Sequence, residues 1–237
     1  MAVPAISLEV RPLASGSSGN SYFLNDGSTK ILIEAGIPWK QVQRKLDFKT
    51  HEITAVLISH RHGDHSGHVK DAVKAGINVY LTEDARDALG IDSHRIHVIT
   101  PGRVFTLNTW QVLAFELEHD VPNVGFLIAT QAGEKLVYIT DSAYCKFRFN
   151  ALNFILIECN YADDILTRNV DAGTVAPELR KRIIQSHFSL SNVKKFLQAN
   201  DLSQVREIHL IHLSDLNSHA ERFKKEIQGL TGIPTFI

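Results

Sequence analysis

The chain is poor in the residues that mark disulfide-rich and membrane-spanning proteins. It has two cysteines and one methionine in 237 residues, and Cys145 and Cys159 form no CxxC motif. We therefore expect neither a disulfide framework nor a cysteine-rich zinc site. No apolar run approaches the about 20 residues that cross a bilayer, and Met1–Ala5 lacks the basic and apolar regions of a signal peptide. We expect a cytoplasmic protein with no membrane partner.

An excess of charge of either sign is also missing. The formal net charge is −1, with 25 basic and 26 acidic residues, so the chain as a whole offers no general attraction to a polyanion. A hydrophobic content of 44% and a charged content of 22% are typical of a globular protein. We find no internal repeat or linker and predict a single domain over residues 1–237.

Short apolar runs alternate with turns and amphipathic segments, which predicts an α/β fold of two packed sheets with helices outside. The predicted strands are Ile6–Val10, Tyr22–Leu24, Lys30–Ile33, Thr54–Ile58, Asn78–Leu81, Arg103–Leu107, Trp110–Glu116, Val124–Ala129, Leu136–Ile139, Phe154–Ile157 and Glu207–Leu210. The predicted helices are Pro38–Leu46, Gly67–Lys74, Pro177–Ile184, Ser191–Ala199 and His219–Leu230.

The strongest chemical signal lies directly behind the apolar run that ends at Ile58. Residues 60–65 read HRHGDH, with three imidazoles and one carboxylate in six positions. Imidazole and carboxylate together suit zinc or a similar divalent ion. The two-residue step lets His60 and His62 turn toward one ion, while Asp64 and His65 can face a second.

Three further candidate ligands follow later predicted strands. His119 follows residues 113–118, Asp141 follows residues 135–140, and His212 follows residues 208–211. Each has an ordinary alternative interpretation as a turn, cap or strand-end residue. Because they occur together with the HxHxDH motif and in this order, we interpret all three as metal ligands.

This order of motifs resembles the metallo-β-lactamase superfamily from about Ile6 to Asn217. The resemblance implies an αββα sandwich of two mixed sheets with outer helices, and two divalent metal ions per chain, zinc first and manganese as the alternative. It assigns His60, His62 and His119 to one ion and Asp64, His65 and His212 to the other. Asp141 would bridge the two ions, and the relatives imply a homodimer.

A narrower resemblance is to the YycJ-like and ribonuclease Z-like branch, and to the phage anti-Pycsar cyclic nucleotide phosphodiesterases. It is carried by residues 13–21, 62–64, 119–126 and 211–214. Glu158 after a late strand and His187 ahead of a helix match further positions of these relatives. Two positions depart from the pattern: Glu34 stands where the family has aspartate, and Arg61 where YycJ-like chains often have glutamate.

The resemblance implies hydrolysis, because two divalent ions about 3.5–4 Å apart lower the pKa of a bridging water toward 7. Asp64 would orient the resulting hydroxide. His187, held protonated by Glu158, would supply a proton or a positive charge at the leaving oxygen of a phosphodiester. We therefore predict a metal-dependent phosphodiesterase that acts on nucleotides, and favour small or cyclic nucleotides over DNA or RNA. A YycJ-like or ribonuclease Z-like nuclease, a thioesterase or lactonase, and a non-enzymatic binding protein are the alternatives.

Three other segments have two interpretations each. Phe147-Arg148-Phe149 can stack on a nucleobase or pack into the core. Arg180-Lys181-Arg182 can be a solvated helix face or can contact phosphate. The small residues of Ala14–Asn20 favour a close backbone approach near the site over a phosphate-binding loop, because no lysine and no helix pattern follow them.

Overall fold

The structure is a computed structural model that describes residues 7–237. The chain divides into two compact units. Unit 1 extends to Phe115 and includes Ile128–Glu134, and unit 2 comprises Glu116–Leu127 and Lys135–Ile237. The single domain over residues 1–237 stays a prediction.

The first sheet lies in unit 1 and has six strands in the order β1-β2-β3-β4-β5-β6. Strands β1 to β3 are antiparallel neighbours, and β3 to β6 are parallel. Of the parallel strands, β3 and β4 are buried almost throughout and are rich in Val, Ile and Leu, as is typical of strands covered on both faces. The burial of β5 alternates along the strand, and β6 at the edge of the sheet has no buried residue. Their bounds are β1 Glu9–Ala14, β2 Ser21–Asn25, β3 Lys30–Ile33, β4 Ala55–Leu57, β5 Asn78–Leu81 and β6 Ile96–Val98.

Four helices and a 3-10 turn accompany this sheet. Thr82 caps the fourth helix, because its hydroxyl accepts the Ala85 amide hydrogen at 3.3 Å, and Gly90 ends it in the left-handed conformation. The helices are α1 Trp39–Lys45, α2 Gly63–Ser66, α3 Val69–Lys74 and α4 Glu83–Leu89, and the 3-10 turn is Thr50–Glu52.

The second sheet has seven strands in the order β13-β12-β11-β10-β9-β8-β7. Strands β10 to β13 are parallel, and β7 and β8 form an antiparallel pair. Every residue of β11 is buried, which explains its uninterrupted apolar run up to Glu158. The bounds are β7 Val104–Leu107, β8 Trp110–Leu117, β9 Asn123–Ala129, β10 Lys135–Ile139, β11 Phe154–Glu158, β12 Glu207–Ile211 and β13 Thr235–Phe236.

Four helices belong to unit 2. Ser189 is the N-cap of the third of these helices, Leu190–Ala199, because its hydroxyl accepts the Asn192 amide hydrogen at 3.1 Å. The apolar face of this helix buries Val193, Phe196 and Leu197. The helices are α5 Asp163–Asp171, α6 Pro177–Ser186, α7 Leu190–Ala199 and α8 Ala220–Thr231.

The predicted fold class is confirmed: the chain forms two mixed β-sheets flanked by helices. The largest boundary error concerns the first strand. The first strand was expected at Ile6–Val10, but β1 runs over Glu9–Ala14 because it pairs with β2 from Glu9 opposite Asn25 to Ala14 opposite Ser21. Ile6 lies outside the described residues. In the part of the chain that the structure describes, no helix has the length and apolar character to cross a membrane.

Candidate metal centre

Unit 1 carries four of the predicted ligands, His60, His62, Asp64 and His65, which we call the first cluster. They follow β4 and extend into α2, whose first residue is Gly63. His60 Nε2 lies 3.1 Å from His62 Nδ1, and His65 Nε2 lies 3.3 Å from Asp64 Oδ2. His60 and His65 are fully buried, whereas the side chain of Asp64 is 26% exposed. The cluster therefore combines rigid imidazoles with a carboxylate that water can reach.

Neighbouring side chains fix the orientation of the buried rings. His60 Nδ1 lies 2.9 Å from the Ser59 hydroxyl, and His65 Nδ1 lies 3.3 Å from Glu34 Oε1. The other oxygen of Glu34 accepts the Ser59 amide hydrogen at 3.2 Å. Glu34 is fully buried, with φ of 67°. Because metal-binding imidazoles are commonly held by such partners, Glu34 has the position of an orienting carboxylate.

The loop that contains Gly19 and Asn20 approaches the first cluster closely, as the sequence predicted. The Asn20 amide nitrogen donates to the Asp64 carbonyl oxygen at 2.8 Å, and Asn20 Nδ2 lies 3.2 Å from His65 Nε2. A Cβ atom on Gly36 would stand 1.7 Å from the Asp64 carbonyl oxygen, and one on Gly19 would stand 2.4 Å from the Gly36 carbonyl oxygen. Glycine is therefore required at both positions, and neither Asn20 nor Glu34 was predicted as a site residue.

Unit 2 carries a second cluster, which consists of Asp141, Glu158, His187 and His212. One ligand atom from each residue lies within 4.8 Å of those of the other three. Asp141 Oδ1 is 3.0 Å from His212 Nδ1 and 3.4 Å from His187 Nδ1. Asp141 and His212 have φ of 46° and 54°. This conformation is uncommon outside glycine and frequent at functional sites, and here both residues follow strands, β10 and β12.

Glu158 is the centre of the second cluster. Its Oε1 lies 2.6 Å from His187 Nδ1 and 2.9 Å from His212 Nδ1. Its Oε2 accepts the amide hydrogens of Ser142 at 3.2 Å and Phe188 at 3.0 Å. The side chain is fully buried. The sequence predicted its support of His187, but it did not predict its contact with His212.

The carboxylates beside His187 favour its charged form. Burial alone would lower its pKa, but the carboxylates of Glu158 and Asp141 outweigh that effect and raise the pKa of His187 to about 10. Its side chain is 20% exposed, so solvent reaches part of the ring. The second cluster therefore places a partly exposed imidazole beside two carboxylates.

His119 follows β8 in the same unit. Its ring centroid lies 5.8 Å from that of His187, and its Nε2 lies 3.1 Å from Asp120 Oδ1. The side chain is 3% exposed. The structure thus brings His119 next to the second cluster, and its role as a metal ligand stays a prediction.

The donor geometry fits divalent metal binding. Two nitrogen ligands about 2.0–2.1 Å from a tetrahedral zinc ion stand about 3.3 Å apart, close to the 3.1 Å between His60 Nε2 and His62 Nδ1. In the second cluster, imidazole and carboxylate atoms converge within 4.8 Å. Buried ionisable groups at such separations are commonly paired or coordinate metals.

The family model of the β-lactamase superfamily domain matches residues 29–213 of this chain. The chain belongs to the metallo-β-lactamase superfamily. The matched range contains every predicted metal ligand, together with Glu158 and His187. The resemblance that the motifs indicated is thereby confirmed, and the chain is a hydrolase of this superfamily.

Two curated relatives match over most of their length. The exodeoxyribonuclease WalJ of Streptococcus pneumoniae is 28% identical over 226 residues, which cover 88% of this chain and 82% of that protein. The exodeoxyribonuclease YycJ of Bacillus anthracis is 25% identical over 231 residues, which cover 91% and 86%. The predicted YycJ-like branch is supported by these relatives, whereas the link to phage anti-Pycsar enzymes gains no support from them.

Solved structures show the same fold at low identity. The metallo-β-lactamase fold protein YhfI of Bacillus subtilis superposes with a TM-score of 0.75 at 16% identity, covering 97% of this chain and 95% of that one. The short form of human tRNase Z gives a TM-score of 0.65 at 17% identity, covering 87% and 92%. These structures confirm that the chain has the same fold as tRNase Z.

Proposed function

We propose that this protein is a metal-dependent phosphodiesterase that hydrolyses nucleic acid, with DNA as its first candidate substrate. The observation that carries the proposal is the position of the partly exposed His187 ring, whose Nδ1 lies 2.6 Å from Oε1 of the buried Glu158, because a phosphodiester needs a proton or positive charge at its leaving oxygen. Thioester and lactone hydrolysis has no evident use for this pair. The two curated relatives are named exodeoxyribonucleases, which supports DNA over other phosphodiesters.

We further propose the ligand assignment that family membership implies. His60, His62 and His119 would hold one divalent ion, Asp64, His65 and His212 a second, and Asp141 both. Zinc fits the imidazole-rich set, and manganese is the alternative. When bound, such ions polarise a phosphoryl oxygen and lower the pKa of a bound water toward 7.

The protein's own side chains would position the other reactants. Asp64 is partly exposed, so its carboxylate can accept a hydrogen bond from the attacking water and orient it. His187 donates its Nδ1 proton to Glu158 Oε1 at 2.6 Å, which leaves its Nε2 proton for the leaving oxygen of the substrate. Glu158 then acts as a positioning residue, because it holds both imidazoles of the second cluster.

Small or cyclic nucleotides are the second candidate substrates. The formal net charge of −1 supports them, because binding to a long polyanion draws much of its affinity from excess positive charge. The homodimer follows from family resemblance alone and stays a prediction. The cytoplasmic location stays a prediction from the low cysteine count.

A substrate panel tests the proposal. Wild type, supplied with zinc or with manganese, is incubated with single- and double-stranded DNA, RNA and cyclic mononucleotides. We expect release of nucleotides from single-stranded DNA. Turnover of cyclic mononucleotides without DNA cleavage would replace DNA by the second candidate, and no phosphodiester turnover with either metal would contradict the proposal.

A matched pair of double variants locates the chemistry. His62→Ala with Asp64→Ala should abolish turnover and leave the circular dichroism spectrum unchanged, because both side chains lie beyond the end of β4. Asp92→Ala with His94→Ala removes the same residue types at exposed positions and should leave turnover unchanged. Full activity in the first variant would mean that the chemistry lies elsewhere.

A further inference from the structure

A recess lies in unit 2, where Phe188 of its wall directly follows His187 of the second cluster. Its volume is about 240 Å³, below the range of about 300–1,000 Å³ of pockets for drug-sized ligands. It therefore suits one planar ring rather than a whole extended ligand. Aromatic and basic side chains dominate its wall, chiefly Tyr144, Lys146, Phe147, Arg148, Phe188 and Lys195. We call it the aromatic cavity.

The structure separates the two interpretations of Phe147-Arg148-Phe149. Phe149 packs into the core, whereas part of the Phe147 ring is exposed and can stack on a nucleobase. Phe149 is 7% exposed and packs against Phe196, with ring centroids 6.3 Å apart. Phe147 is 36% exposed, and Tyr144 is 46% exposed. Phe149 is thus a core residue, whereas Phe147 presents ring surface at the cavity.

Basic side chains line the aromatic cavity together with this ring. Lys146 Nζ lies 5.4 Å from the centroid of the Phe147 ring. The side chains of Arg148 and Lys195 are also exposed at the cavity. Although the formal net charge of the chain is −1, this site joins positive charge to exposed aromatic surface, the combination by which proteins bind single-stranded nucleic acid.

The chain connects the aromatic cavity directly to the second cluster. Tyr144 follows Asp141 by three residues, so their Cα atoms are at most about 11 Å apart. Phe188 in the cavity wall follows His187 and donates its amide hydrogen to Glu158 at 3.0 Å. Asn192 Nδ2 donates to the Ala143 carbonyl oxygen at 3.0 Å, which fixes the connecting segment.

We propose that the aromatic cavity binds one nucleobase of a single-stranded nucleic acid, stacked on Phe147, with Lys146, Arg148 and Lys195 against the adjacent phosphates. The inference rests on the proposed function, because it supplies the binding subsite next to the bond that is cut. Stacking accepts any base, so the subsite would bind strands of different sequence. A paired base would have to leave the duplex to enter the aromatic cavity, so the cavity favours single strands as substrates.

The test compares Phe147→Ala with Phe48→Ala, which removes a phenylalanine that is 69% exposed and lies in unit 1. Binding of a labelled single-stranded oligonucleotide is measured by fluorescence anisotropy on chelator-treated protein, so that no cleavage occurs. Loss of one stacked base should raise the Kd of the Phe147 variant about 5- to 150-fold. The Phe48 variant should match wild type.

A set of oligonucleotides with one abasic site each identifies the contact. Wild type should lose affinity when one particular base is absent, and Phe147→Ala should lose nothing further with that oligonucleotide. Equal losses in both proteins at every position would overturn the inference, and so would an unchanged Kd for Phe147→Ala. If either of these two results is obtained and wild type still cleaves DNA, the base-binding inference is wrong but the proposed function stands. If wild type neither cleaves nor binds DNA, the proposed function is contradicted as well.

Discussion

The prediction that depends most on the geometry of the second cluster is the effect of Glu158→Gln. A carboxylate has two acceptor oxygens and no donor, and here one oxygen faces two backbone amides while the other faces the Nδ1 atoms of His187 and His212. Glutamine keeps only one acceptor oxygen. The two amides cannot give up their protons, so we expect the glutamine oxygen to face them and the NH₂ group to face the two imidazoles.

This arrangement changes the state of His212. In wild type its Nδ1–H donates to Glu158, which leaves the lone pair of Nε2 for a metal. Facing an NH₂ group, Nδ1 must accept instead, and the proton moves to Nε2. Removal of an orienting partner of a metal-binding histidine typically costs about 10- to 100-fold in metal affinity or activity, and hydrogen bonds to charged groups contribute about 1.5–3 kcal/mol each. We expect a loss of metal affinity of that size.

The assay is competition for zinc with a chromophoric chelator, followed by turnover at saturating metal. Glu221→Gln, which makes the same change at an exposed position of α8, serves as the control and should equal wild type. Turnover of Glu158→Gln should stay below wild type at saturating metal, because His187 also loses the nearer of its two carboxylate partners. Wild-type metal affinity together with wild-type turnover in Glu158→Gln would refute this reasoning.

Three further predictions follow from single positions. His187→Ala should retain metal but lose about 10²- to 10⁴-fold in turnover of DNA. The loss should be smaller with a nitrophenyl phosphodiester, whose leaving group needs no proton. Equal losses for DNA and for the nitrophenyl ester would exclude proton donation, and loss of metal would make His187 a ligand. Gly36→Ala should lower the free energy of unfolding by about 3 kcal/mol, since its Cβ would meet the Asp64 carbonyl oxygen, whereas Gly229→Ala on open helix surface should not destabilise in denaturant titration. Burial lowers the pKa of His209, although Glu207 opposes this effect. The contribution of the neutral ring to stability is therefore complete above about pH 6.5 and is lost as the pH falls. The unfolding free energy should drop less between pH 8 and pH 5 in His209→Phe than in wild type, and an equal drop would contradict this prediction.

Most of the sheet framework was visible in the sequence because its strands are strongly apolar. Lys30–Ile33 and Asn78–Leu81 have the predicted bounds. β6 was missed, since it has three residues and no fully buried side chain. α4 was missed although its signals were present, namely Thr82 at its start and Gly90 at its end. Short elements depend on their neighbours more than on their own pattern.

The candidate site divides in a similar way. The HxHxDH run and the later His119, Asp141 and His212 were predicted as metal ligands because strand ends and residue types agreed. Glu34 was seen only as a departure from the family, and its contact with His65 depends on a backbone conformation that the sequence does not reveal. The sharing of Glu158 between His187 and His212 joins residues 29 and 54 positions apart, and no local pattern encodes such a contact.

The central claim is that a two-metal centre in this chain cleaves nucleic acid. The most direct measurement is the rate of hydrolysis of a single-stranded DNA oligonucleotide by metal-free protein titrated with zinc, and in parallel with manganese. We predict no hydrolysis before addition and a rise to a plateau close to two ions per chain, with Asp141→Ala failing to reach it. Full activity without metal, or no DNA hydrolysis at any metal concentration, would contradict the account.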